Sequence, residues 1–88
     1  MKHLMCIFDL FDVNQKVHLV DPEARQAVQV AEVPAADLTK ALAHLAHTYS
    51  VNNIKLYGCK SYGEIFPNAI LEYLKTDYNK NNVEIEVI

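Results

Sequence analysis

The sequence predicts one α/β domain built on a single mixed five-stranded sheet, with elements in the order β-β-β-α-β-α-β. Three observations predict it. Its 88 residues suit one domain. Five short β-rich runs and two segments with helical apolar spacing follow one another. The connections are short, and the chain contains no repeat, linker or low-complexity stretch.

The elements read as follows. Leu4 to Phe11 is an almost continuous apolar run interrupted by Asp9, the pattern of a central strand buried on both faces. Asp12-Val13-Asn14-Gln15 reads as a turn. Lys16 to Val20 alternates polar and apolar residues, as a half-buried strand does. Asp21-Pro22-Glu23-Ala24 is a second turn, its geometry preset by Pro22. Gln26 to Val33, with Val28, Val30 and Val33, completes an antiparallel meander. Pro34 then opens a helix, where a missing N–H costs nothing. Leu38, Leu42, Leu45 and Tyr49 form its buried stripe, with Asp37, Lys40, His44 and His47 opposite. Ile54 to Tyr57 is the fourth strand, closed by Gly58. Phe66, Ala69, Ile70, Tyr73 and Leu74 mark the inner face of a second helix. Ser61 to Glu64 fits a capping box. Starting the helix there would put Pro67 well inside it, so residues 59–66 are read as a loop with Pro67 in the first turn. Val83, Ile85 and Val87 alternate with Glu84 and Glu86 in a last strand. Right-handed crossovers through both helices give the sheet order 3-2-1-4-5, with only the second strand antiparallel to the rest.

Composition bounds the function. The chain is 51% hydrophobic and 22% charged, enough for one thin core. Its formal charge of -3 and singly scattered Lys and Arg lack the footprint of a nucleic-acid binder. No apolar stretch reaches membrane-spanning length, and the N-terminal run is too short for an export signal. A soluble cytoplasmic protein with Cys6 and Cys59 as free thiols is the expectation. Five tyrosines supply most of the aromatic content; Tyr49 and Tyr73 fall on buried stripes, and Tyr62 and Tyr78 lie in or near loops.

The strand order resembles that of the ribonuclease H-like fold, over nearly the whole chain. Nucleases of that family carry an aspartate in the first strand, and Asp9 of Ile7-Phe8-Asp9-Leu10 matches it. Their second acid lies at the end of the fourth strand or in the following helix, but that strand ends here in Tyr57-Gly58. Their third acid comes from a later helix that this chain does not supply. The resemblance therefore implies the scaffold without a complete set of catalytic carboxylates.

The crevice beyond the carboxyl ends of the first and fourth strands is where an open α/β sheet binds ligands. Asp9, Asp12 and the Gly58-Cys59-Lys60-Ser61 loop would line it. The leading expectation is a non-catalytic protein-binding module, a small regulator or inhibitor, without a cofactor. Its partner, or a second copy, would be met through the crevice or the edge strand Gln26 to Val33. Gln26, Val28, Val30, Tyr62 and Tyr78 are the candidate contacts. A first alternative is a metal-dependent nuclease or phosphotransfer enzyme using Mg²⁺ or Mn²⁺ on Asp9, Asp12 and Glu64. A second is a nucleotide or anion site on Gly58, Lys60 and Ser61, although the full phosphate-loop spacing is absent. His44 and His47 are three apart but have no further zinc ligands at a fitting spacing, so a solvated face is expected. Neither cysteine is placed beside a base by the sequence.

Overall fold

The computed structural model describes residues 1–88. Strand β1 spans His3–Ile7, β2 Asn14–Asp21 and β3 Gln26–Pro34. A 3-10 turn over Ala35–Asp37 leads into helix α1, Leu38–Thr48. Strand β4 is Asn53–Tyr57, helix α2 is Ile65–Tyr78 and strand β5 is Glu84–Val87. The sheet order is β3-β2-β1-β4-β5, as expected. The β1–β4 and β4–β5 pairs are parallel, and β2 is antiparallel to both neighbours.

Alternation along the strands decides which side is the core. Leu4 and Cys6 of β1, Val17 of β2, and Ile54 and Leu56 of β4 are fully or almost fully buried. They pack against Leu38, Leu42, Ala43 and Ala46 of α1 and Ile70 and Leu74 of α2. Burying each such Leu or Ile side chain stabilises the fold by about 1.5–3 kcal/mol. The intervening residues Met5, His18, Lys55 and Tyr57 lie on the other face and are only half-buried.

This overturns one expectation. The first strand is not buried on both faces; it ends at Ile7, which is 60% exposed, and Leu10 and Phe11 lie beyond it in solvent. Two helices on one side of five strands leave the second face uncovered. The turn therefore begins before Asp12, and Asn14 and Gln15 already belong to β2. Tyr49, expected on the buried stripe, caps α1 and is exposed, while Ala43 and Ala46 take the inner positions.

Pro67 lies in the first turn of α2 and is buried, as read from the sequence. The segment before it contains a 3-10 turn over Lys60–Tyr62, and no side chain caps the helix. The β2–β3 register shifts between Val17 and His18, where Val30 is the extra residue of a bulge.

Cys6 and Cys59 are both buried free thiols. Burial pushes the Cys6 thiol from its ordinary 9.0 to about 11, with nearby Cys59 adding to the rise. The unfolded chain therefore loses this proton first, so stability present below about pH 9 declines toward pH 11. Denaturant midpoints at about pH 8 and about pH 10.5 are expected to show the fall. Burial pushes the Cys59 thiol up as well, so Cys6→Val, which removes one of the two titrating thiols at similar volume, should lessen the fall; an equally steep fall in that variant would assign the effect elsewhere.

Candidate functional site

The site is built at the carboxyl ends of β1 and β4. Parallel pairing continues one residue past β1, where the Phe8 N–H donates to the Tyr57 carbonyl at 2.7 Å. Gly58 follows with φ +84°, its backbone pressed against Phe8. A Cβ at Gly58 would stand 2.5 Å from the Phe8 carbonyl oxygen, so this close approach requires glycine. The Phe8 ring packs edge-on to Tyr62, with centroids 5.8 Å apart, and against Phe66 at 5.4 Å. This cluster fixes the end of β1 to the start of α2.

The chain then turns through Asp9–Val13. Gln15, only 1% exposed, holds this turn. Its Oε1 accepts the Asp9 N–H at 2.8 Å, while Nε2 donates to the carbonyls of Asp9 at 2.8 Å and Asp12 at 3.0 Å. The Asp9 carboxylate accepts the Phe11 N–H at 2.9 Å, an Asx turn. Asp9, rather than Asp12, thus makes the side-chain bond that shapes the turn. On this braced frame Leu10 is 66%, Phe11 94% and Val13 80% exposed.

Beside the turn lies an open cleft of about 210 Å³, lined by Ile7, Asp9, Asp12, Lys16 and His18 together with Gln15 and Asn14. The structure thus brings Asp9 and Asp12 together. Glu64 does not join them; it is exposed just before α2 and does not line the cleft. No three His, Cys, Asp or Glu side chains gather closely enough to hold a metal ion. Lys60 and Ser61 are exposed on the 3-10 turn after Gly58, also outside the cleft. Asp9 forms no ion pair with Lys60; the ion pairs are Met1 with Glu23 and Lys55 with Glu86.

The remaining candidates are dispersed. Gln26, Val28 and Val30 lie on edge strand β3, with Val28 47% exposed and Val30 in the bulge. Tyr62 is half-buried in the aromatic cluster. Tyr78 is also half-buried; it stacks on His47 at 4.5 Å and its hydroxyl lies 3.0 Å from His44 Nδ1. Both tyrosines therefore serve packing more than an open surface. His44 and His47 are exposed, and their contacts with Tyr78 tie the C-terminal ends of the two helices together. No helix is long and apolar enough to cross a membrane.

Sequence reasoning missed Leu10, Phe11, Val13 and Gln15. The available signal was Asp9 two residues before Phe11. An Asp that can bond the backbone two residues on ends a strand and starts a turn.

The architecture is a two-layer mixed α/β domain with both helices on one side of the sheet. No protein-family description matches the chain, and no curated protein matches it in sequence. It is similar in structure to part of the Pelota protein of Archaeoglobus fulgidus, whose crystal structure reveals inter-domain structural plasticity. The TM-score is 0.53 at 11% identity, over 99% of this chain and 26% of that one. This chain therefore spans about a quarter of that protein, and the likeness is one of fold.

Proposed function

We propose that this chain is a non-catalytic protein-binding module, a small regulator or inhibitor, on a ribonuclease H-like scaffold. The observation that carries the reading is the Asp9–Val13 turn, where a buried glutamine with three hydrogen bonds holds Phe11 almost wholly in solvent. Exposed apolar clusters mark interaction sites, and aromatic side chains dominate binding energy at interfaces. Preorganising such a loop lowers the entropy lost on binding.

The edge of β3 offers a second surface for chain pairing. Its bulge at Val30 and its terminal Pro34 interrupt the outer ladder, as protected edges do, so the turn is favoured. The metal-dependent alternative is supported by the shared cleft of Asp9 and Asp12. It has less support than binding because one Asp9 oxygen is committed to the Phe11 amide and Glu64 stands apart.

Affinity capture from the source cell with wild-type protein and with Leu10→Ser/Phe11→Ser tests the proposal. Both substituted side chains are exposed, so circular dichroism should show an unchanged fold. Recovery of a reproducible partner is expected to fall on the order of tenfold or more in the variant. Equal recovery by both proteins would remove the turn as the docking surface.

A further inference from the structure

We infer that the partner receives the Asp9–Val13 turn in an apolar pocket with a cationic rim. The inference rests on the reading that this turn is the docking surface. Three features carry it.

The first is shape. Leu10, Phe11 and Val13 project from a turn, so the surface that covers them is concave. The second is charge. Asp9 and Asp12 flank the apolar tip; Lys16 lines the same cleft, but with Glu32 beside it the acids around the tip outnumber this one cation. Both carboxylates are on exposed residues. They favour cations around the pocket and oppose a phosphate backbone or an anionic lipid surface. The third is the absence of a suitable receptor on the chain itself. Three of its four surface depressions have one hydrophobic lining residue each. The fourth, on α2, offers Ala69 and Tyr73 but is flanked by Glu72 and Asp77. Docking Phe11 of a second copy there would set Asp9 and Asp12 against two more acids. A different protein is therefore the occupant.

The pocket can be imitated by a defined probe. Heptakis(6-amino)-β-cyclodextrin has an apolar cavity that admits one aromatic ring and a rim of primary amines. Full-length ¹⁵N-labelled protein is titrated with it, with neutral β-cyclodextrin, and with a carboxylated form. Amide shifts are expected to centre on Leu10–Val13. The amine form should bind about fivefold tighter than the neutral one at low salt, the effect of one close charge pair in water. The carboxylated form should bind weakest. The differences should vanish at about 0.5 M salt, where exposed charges are screened. Phe11→Ser should abolish binding of all three.

Equal affinity for the amine and neutral forms overturns the inference. So does Phe11-dependent self-association in sedimentation, or Phe11-dependent binding to phosphatidylglycerol vesicles. Cellular capture that depends on Phe11, together with no amine preference, would discard the cationic rim and keep the docking turn. Capture that is independent of Phe11 would discard the turn itself.

Discussion

Gly58→Ala is expected to lower the thermal midpoint by roughly 10–25 °C, through about 2–4 kcal/mol of lost stability. Two effects combine at this residue. A Cβ in the left-handed region costs about 1 kcal/mol or more wherever it occurs. At Gly58 the new carbon would also meet the Phe8 carbonyl oxygen at 2.5 Å, closer than real contacts allow. Both groups are held by backbone, so relief requires β1 and β4 to separate where Phe8 bonds Tyr57. That movement also disturbs the packing of Phe8 on Tyr62 and Phe66. Gly63 has nothing within 4 Å of its would-be Cβ, but its φ of +62° with ψ -131° is a backbone region that glycine alone adopts readily, so Gly63→Ala should cost about 1–3 kcal/mol through the backbone alone. Differential scanning calorimetry gives the loss in Gly58→Ala, and amide exchange locates it. Unchanged exchange at Phe8 in Gly58→Ala would mean that the strand ends yield freely and that the close approach is not a constraint.

Gln15→Leu is expected to cost roughly 2–4 kcal/mol and to loosen the Asp9–Val13 turn. Leucine fills a similar volume but cannot bond the Asp9 N–H or the carbonyls of Asp9 and Asp12. Water can reach part of this turn, which keeps the cost below that of three fully buried losses. Amide exchange at Asp9 and Phe11 should accelerate along with the loss of stability. Gln15→Glu gives an independent check. It retains an acceptor for the Asp9 amide but replaces the donor with a carboxylate, buried among Asp9, Asp12 and two carbonyls. It should be worse than leucine at neutral pH and recover toward acid pH, where the new group is protonated. Unchanged exchange at Phe11 in the leucine variant would show that the turn holds its shape without the amide. In the functional assay, Gln15→Leu should weaken partner capture although Phe11 is still present, because an unbraced loop must be ordered on binding.

The Pelota likeness agrees with the topology read from the sequence, but neither points to Phe11. Fold and site are separate properties here. The scaffold is set by apolar periodicity, whereas the proposed docking surface is a local departure from it. Asp9 illustrates the point. It occupies the position of the family's first-strand aspartate, where a carboxylate at a strand end is expected to bond backbone. In the structure its carboxylate shapes the turn that displays Phe11.

The sequence by itself determined the element order, the sheet order, the mixed strand directions and the place of Pro67 in α2. These follow from short-range spacing, turn chemistry and the handedness of crossovers, all of which are local or nearly so. Only the tertiary structure decided which apolar residues are covered. Ile7, Leu10 and Phe11 belong to the same apolar run as Leu4 and Cys6, and only Asp9 marks where that run leaves the sheet. The difference arises because α1 and α2 pack on one side of the sheet and Gly58 brings β4 against Phe8. Beyond that line the chain turns, and nothing covers the Leu10 and Phe11 side chains, although the Ala35 N–H donates to the Val13 carbonyl at 2.8 Å. Burial depends on what the rest of the chain places opposite a residue, and Gln15, six residues beyond Asp9, settled the course of this turn.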